Sequence, residues 1–433
     1  MTLQLSEPTT GLPLTDRVIE AARQLSAQHR LPAYLYDLEH LREHLRRIRN
    51  LFEQAGADVG ILYATKANPD AEVVRTAASQ VDGLEVSSGG EIAHVRSLLP
   101  EATLIFGGPG KTDAELATAL AAGVHRYHVE SLEELRRLDG LARQAGVLAE
   151  VLFRVNIDIS GAVESSRSLD SEASPSVALG PAAGPALTMG GVPSPFGMDP
   201  EAAALAVAQL AESSNLSFRG VHAHLASGVE AVEAAAQAAE IARWARRFAV
   251  QHGVRVSELN VGGGMSVDYR NPERLFDWAE YAKLMAQVTA EFSEFRFEIE
   301  PGRALSAYSG WYASSVLELK RSHGEWFGIC AGGTHHLRTP AAKGHSQPFA
   351  VLPIEEWQRP WARTELRQQR VSLVGQLCTP KDLLAKQAPV AELRTGDVVL
   401  FALAGAYALN ISHRDFLMHP APQIVHLGGI AAD

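Results

Sequence analysis

Short apolar or β-branched runs recur along residues 61–300, each followed by a longer stretch with helical spacing. The runs are ILYAT (61–65), GLEV (83–86), TLIF (103–106), HRYHV (125–129), EVLFRV (150–155), FRGVHAHL (218–225), SELNV (257–261) and FRFEIE (295–300). Each is short enough for a strand, and the intervening stretches are long enough for helices. In KTDAELATALAAG, Thr112 or Asp113 can cap a helix and Gly123 can end it. SLEELRRLDGLARQAG supplies the next helix after the fourth run. Eight such alternations predict a (β/α)8 TIM barrel more readily than an open sheet.

Two departures from this rhythm mark the rest of the chain. Residues 160–195 are rich in Ser, Ala, Gly and Pro and hold no aromatic residue, so they predict a long mobile loop. Such a loop is either an inert insertion or a lid over the barrel mouth, where barrel active sites lie. After Glu300, segments such as WYASSVLELK, EWFGICAGG, RVSLVGQLC and DVVLFALAGAYAL are β-rich and lose the helical alternation. They predict a mostly antiparallel C-terminal β domain. The expected division is 1–37 as a segment joining the β domain, 38–305 as the barrel and 306–433 as the β domain.

Composition narrows the class. Hydrophobic residues make up 46% and charged residues 21%, a globular balance. A net charge of −11 gives no electrostatic grip on nucleic acid or anionic membranes. No apolar run approaches a bilayer span, and MTLQLSEPTT lacks the features of a secretory signal. Cys330 and Cys378 are too few for a disulfide framework. The expectation is a soluble, cytoplasmic protein.

The candidate chemistry sits at the ends of predicted strands. Lys66 ends the first within YATKANPD, where burial and nearby charge can tune an amine for Schiff-base chemistry, although this segment alone favours a structural lysine paired with a carboxylate. The seventh strand runs into Gly262, Gly263 and Gly264, which let backbone N–H groups approach an anion at a common barrel phosphate position. The eighth ends in Glu300-Pro301-Gly302-Arg303, a carboxylate with a cation beside the same position. A lysine, a phosphate cradle and a lone glutamate in one mouth point to pyridoxal 5′-phosphate (PLP). His222 and His224 are expected to share a side of the sixth strand. Two histidines without an evident third ligand do not make a metal site, and none is predicted. Stacking on a flat cofactor fits one of them better, with a packed core histidine as the alternative. The adjacent His335 and His336 are weaker still, because neighbouring strand residues face opposite ways.

Taken together, the motifs resemble those of the fold-type-III PLP-dependent decarboxylases, the family of diaminopimelate, ornithine and arginine decarboxylases. The resemblance runs from LPAYLYD near Leu31 into the C-terminal region. It implies a barrel of the alanine-racemase type with a C-terminal antiparallel β domain. YATKANPD resembles the cofactor-lysine motif, implying Lys66 in an internal aldimine, and LEVSSGGE resembles the second-strand motif. HAHLASG implies His224 stacked on the pyridine ring and Ser227 on the phosphate, with Ala226 where the family usually has Gly. NVGGGMSVDY implies a phosphate loop at Gly262–Gly264, and EPGRAL implies Glu300 on the pyridine nitrogen with Gly302 and Arg303 near the phosphate. GQLCTPKD resembles the segment whose cysteine, here Cys378, protonates the α-carbon from the partner subunit, and GAYAL the segment whose tyrosine, here Tyr407, reaches the cofactor. A homodimer with shared sites follows. The related racemases place an arginine against the pyridine nitrogen; Glu300 favours decarboxylation instead. A non-catalytic regulatory homologue is the other rival, and Lys66, Glu300 and Cys378 together argue against it.

The substrate reading rests on departures from that pattern. Decarboxylases of simple diamine-type substrates commonly follow the cysteine with an acidic residue, whereas here Cys378 is followed by Thr379 and Pro380, with Asp382 further on. PFGMD (195–199) resembles the end of the diaminopimelate-type loop, although the stretch before it differs. NISHRDFLMHPAP (410–422) resembles the branch acting on modified amino acids, including siderophore-pathway decarboxylases of a citryl-diaminopropionate intermediate. The expected substrate is such an amino acid with distal carboxylates, which Arg338, Arg321 or His336 could receive, with Asp382 as a further candidate contact. meso-Diaminopimelate is the alternative.

Overall fold

The computed structural model describes residues 14–158, 187–188 and 190–429. Most of the expected loop at 160–195 therefore lies outside the described residues. By contact, the chain divides into two compact units. One comprises Glu43–Ser266 and Phe276–Leu305; the other comprises Met1–Arg42, Val267–Leu275 and Ser306–Asp433. The short stretch 267–275, placed in the barrel from the sequence, thus groups with the β unit, where Tyr269 enters the apolar core.

After β1 (Ala33–Asp37), which belongs to the β unit, the barrel strands begin. They are β2 (Val59–Ala64), β3 (Gly83–Val86), β4 (Leu104–Phe106), β5 (Arg126–Val129) and β6 (Ala149–Arg154). A short pair, β7 (Leu187–Thr188) and β9 (Ala226–Ser227), flanks β8 (Leu216–His222), and β10 (Glu258–Asn260) and β11 (Arg296–Ile299) complete the set. Strands β2 to β6, β8, β10 and β11 close a barrel in chain order, and every pairing is parallel. These strands are mostly buried, as parallel barrel strands are on both faces, and buried polar residues such as Glu85, His128, Glu258 and Glu298 interrupt their apolar runs.

Three consecutive βα turns are set by the same chemistry. Ser88, Thr112 and Ser131 cap the following helices by accepting the N–H of Glu91, Glu115 and Glu134. Glu115 completes a reciprocal capping box by accepting the Thr112 N–H at 3.0 Å. Arg126, at the start of β5, bridges Glu258 at 2.6 Å and Glu298 at 3.3 Å, which occupies part of the barrel interior with charge.

All eight predicted barrel strands are present. The sixth is shorter than expected: β8 stops at His222 rather than continuing to Leu225. The Ala223 N–H still bonds Asn260 O, but the chain then passes tightly against the glycine loop after β10. The two-residue alternation expected to carry His222 and His224 therefore does not extend to His224.

The second unit is an eight-stranded sheet. Its strands are β12 (Gly310–Ser322), β13 (Glu325–Cys330), β14 (Phe349–Leu352), β15 (Glu365–Val374), β16 (Leu383–Arg394), β17 (Val398–Phe401) and β18 (Gln423–Leu427), together with β1. Most pairings are antiparallel, as predicted, but β1 with β18 and β13 with β15 are parallel. Strands from opposite ends of the chain meet at β1, and β15 returns beside β13 after the excursion through β14. The helix Asp16–Ala27 lays Val18, Ile19, Ala22 and Leu25 into a core with Leu35, Trp311, Leu352, Val398 and Leu400. Among the described residues, no helix is long and apolar enough to cross a membrane.

Candidate active site

Lys66 lies in a single 3-10 turn, Thr65–Ala67, directly after β2. Its Nζ donates to both carboxylate oxygens of Glu85 on β3, at 2.8 and 2.7 Å, and reaches Ser87 Oγ at 3.4 Å. The Ser87 hydroxyl in turn donates to Glu85 Oε1 at 2.8 Å. Glu85 is buried whereas the Lys66 side chain is 44% exposed, so the amine is anchored from below and open above. This pairing is the structural role that the segment alone favours.

Glu300 follows β11 and is buried. Its Oε1 accepts from Asn260 Nδ2 at 2.9 Å. His128 Nδ1 lies 3.5 Å from Oε1, and His222 Nε2 lies 3.4 Å from Oε2. The two imidazoles stack at 4.1 Å with planes 14° apart, and neither ring makes a hydrogen bond. Burial pushes both well below the ordinary histidine range; His128 is further opposed by His222, and His222 by Arg154. His128, His222 and Glu300 bring three possible metal-ligand atoms within 4.8 Å of one another. Near-parallel rings, however, do not direct their lone pairs at one point, as an ion about 2.1 Å from each nitrogen would require.

The phosphate-loop candidates form a tight junction of backbone. The Gly263 N–H donates to His224 Nδ1 at 3.0 Å. Burial, with Arg154 and Lys66 nearby, lowers the His224 pKa to about 3, leaving a neutral ring. A Cβ at Gly263 would lie 2.2 Å from Glu300 O, and one at Gly264 would lie 2.1 Å from Ala226 O. Gly264 O accepts the N–H groups of Gly228 and Val229. These contacts bring the His224–Ser227 segment, Gly262–Gly264 and Glu300 together, with Gly302 and Arg303 next in the chain.

The β-unit candidates differ in availability. Cys378 is exposed and unpaired with another cysteine. Tyr407 holds a positive φ of 47°, and its carbonyl accepts from Thr339 Oγ1. Arg338 and Arg321 are exposed. His336 is only 1% exposed: Nε2 donates to Pro420 O at 3.0 Å, Nδ1 faces the Tyr312 hydroxyl at 3.0 Å, and burial lowers its pKa to about 3. It lies in a turn with His335, ring centroids 4.0 Å apart, so strand alternation does not separate the two. Asp382 is 2% exposed and accepts the N–H groups of Thr334 and Leu377 and the Thr334 hydroxyl. In this structure His336 and Asp382 anchor their own loops.

Residues 38–174 and 180–307 match the family model described as pyridoxal-dependent decarboxylase, pyridoxal binding domain. The chain is also 33% identical, over 93% of its length and 96% of the relative's, to 2-[(L-alanin-3-ylcarbamoyl)methyl]-2-hydroxybutanedioate decarboxylase of Staphylococcus aureus. The chain belongs to the pyridoxal-dependent decarboxylases. A second relative, L-glutamyl-[BtrI acyl-carrier protein] decarboxylase of Niallia circulans, is 31% identical over 92% of this chain and 89% of its own. The fold is that of diaminopimelate decarboxylase from M. jannaschii in co-complex with L-lysine, with a TM-score of 0.79 at 20% identity, covering 98% of this chain and 94% of that one.

This decarboxylase is a carboxy-lyase whose cofactor is PLP. Its residues fit that group: a partly exposed lysine at Lys66, a buried carboxylate at Glu300, a neutral imidazole at His224 and a glycine loop whose Gly263 and Gly264 run too close to the Glu300 and Ala226 carbonyls to admit a Cβ. Reasoning from sequence missed Glu85, Ser87, His128 and Asn260. It also missed Arg154, which pairs with buried Glu130 at 2.6 Å. The signal available for them was position, since each lies at or just beyond the C-terminal end of a barrel strand or in the turn that follows.

Proposed function

We propose that this decarboxylase removes the α-carboxylate of a modified amino acid with distal carboxylates, of the citryl-diaminopropionate kind used in siderophore assembly. The observation that carries the reading is the likeness to the S. aureus relative, whose named substrate is an alanine joined through an amide to a hydroxybutanedioate. Asp382 supports it. Asp382, the first acid after Cys378 but four residues on, is buried and already bonded to Thr334 and Leu377, so it is poorly disposed to receive the distal ammonium of a diamine-type substrate.

In this reading the barrel unit binds the cofactor. Lys66 holds it covalently and Glu300 keeps the pyridine nitrogen protonated. His224 lies against the ring, and Ser227, Gly262, Gly263, Gly264, Gly302 and Arg303 hold the phosphate. Tyr407 is a further cofactor-binding candidate. Bound PLP supplies a sink for the electron pair left on the α-carbon as carbon dioxide departs. Cys378 of the partner subunit then delivers a proton to that carbon, so the working species is a homodimer with two shared sites. An exposed free thiol at Cys378 suits a reducing compartment, the cytoplasm.

The test is mass spectrometry of the PLP-loaded enzyme with meso-diaminopimelate, ornithine, arginine and citryl-diaminopropionate, scored for loss of carbon dioxide. Turnover confined to the citryl compound supports the proposal, and turnover of meso-diaminopimelate alone replaces it with a lysine-pathway activity. Exposed Arg338 is the proposed receiver of a distal carboxylate. Arg338→Ala should raise KM for the acidic substrate about tenfold or more, the scale of one lost charged hydrogen bond; an unchanged KM removes Arg338 from the site.

A further inference from the structure

The environment of Glu300 holds two buried imidazoles that the decarboxylase reading does not use. A carboxylate offers about four lone-pair positions. Asn260 occupies one, at 2.9 Å from Oε1. His128 Nδ1 and His222 Nε2 face two more, at 3.5 and 3.4 Å. These distances exceed a formed hydrogen bond by a few tenths of an ångström, which is common at catalytic groups before the reacting complex assembles. The last position is left for the pyridine N–H.

We infer that His128 and His222 are positioning residues for Glu300, each turning one N–H to the carboxylate so that its charge and orientation against the pyridine nitrogen are fixed. This rests on the reading of Glu300 as the partner of that nitrogen. A neutral imidazole has one N–H, and a neighbouring carboxylate selects which nitrogen carries it. The selection here is Nδ1 on His128 and Nε2 on His222. Both rings are at most 3% exposed and have no other hydrogen-bond partner, so Glu300 is the acceptor within reach of their N–H groups. Stacking at 4.1 Å disfavours two imidazolium charges in contact, and Arg154 and Lys111 add further positive potential. The pair therefore donates to the carboxylate without neutralising it. The competing account is that the rings merely fill space.

Four variants of the holoenzyme separate the two accounts. His128→Phe and His222→Leu keep bulk and lose the N–H, whereas His128→Asn and His222→Gln return an N–H near Nδ1 and Nε2 respectively. Removing one N–H from a carboxylate shifts its charge balance by about one pKa unit, so each apolar variant should lower kcat about tenfold. KM should change little, and the absorption maximum of the bound cofactor should move to shorter wavelength as the pyridine nitrogen loses its proton. The amide variants should restore both kcat and the spectrum. Apolar variants with wild-type kcat and spectrum, or amide variants as impaired as the apolar ones, overturn the inference. If an apolar variant does not load the cofactor, the amide variants decide: a retained spectrum supports the inference, and one shifted as in Glu300→Gln overturns it. Glu300→Gln, measured alongside, should shift the spectrum at least as far. If it changes neither spectrum nor rate, the reading of Glu300 itself fails.

Discussion

Lys66 is structural by its pairing and, in the proposed reading, chemical by its motif. Its amine is held by two oxygens of a buried carboxylate and still opens to the mouth. Lys66→Ala should abolish the absorption band of lysine-bound cofactor, and survival of that band would place the linkage elsewhere. His336 presents the opposite case, a histidine sealed among Tyr312 and Pro420 with its pKa lowered to about 3. Its folded pKa is below the unfolded value of about 6.5. The neutral ring's contribution is therefore complete above that pH and is lost as pH falls toward about 3. Urea unfolding of wild type against His336→Gln should show the wild type losing about 1.4 kcal/mol more per pH unit between pH 6 and 4; parallel pH curves would mean the ring titrates normally in the fold. Lys66, His224 and Glu300 were identifiable as candidates because their motifs are local in sequence. Glu85, His128 and Asn260 were not, because each gains its role from a residue on another strand.

At the scale of elements, the barrel was readable because short apolar or β-branched runs alternate with helical stretches and the turns between them need caps. The end of β8 was not, because it depends on the glycine loop that passes beside it rather than on its own sequence. That loop carries a sharp prediction. Gly264 has φ of +94° and no room for a Cβ, whereas Gly253, ending the helix Ala231–His252, has φ of +63° and open space. Gly264→Ala should destabilise by about 1–3 kcal/mol or more and weaken PLP retention, measured by urea unfolding and equilibrium dialysis. Gly253→Ala should cost about 1 kcal/mol and leave PLP binding unchanged. Equal effects on PLP would mean that close packing of the loop is not what shapes the cradle. The parallel pairings in the β unit escaped prediction for a similar reason, since strand polarity follows from partners remote in sequence, as β1 and β18 illustrate.

At the scale of the whole molecule, the proposed chemistry divides between copies: Lys66 of one subunit works with Cys378 of the other. The motifs suggest this through resemblance alone, because no periodicity or composition in a single chain records which groups meet across a dimer. Cys378→Ala should slow turnover while leaving the cofactor bound, and Lys66→Ala should be inactive. Mixing the two variants in equal amounts after reversible dissociation re-sorts the subunits, and about half of the dimers become hybrids. Each hybrid restores one complete site, joining Lys66 of the Cys378→Ala chain to Cys378 of the Lys66→Ala chain, and leaves the other site doubly deficient. Activity should therefore rise above that of either parent to about a quarter of wild type. A site built within one chain gives no such recovery, because every subunit in the mixture carries one lesion of its own. Activity that stays at the average of the two parents would thus remove the shared site, and a fully active monomer at high dilution would remove the dimer requirement with it.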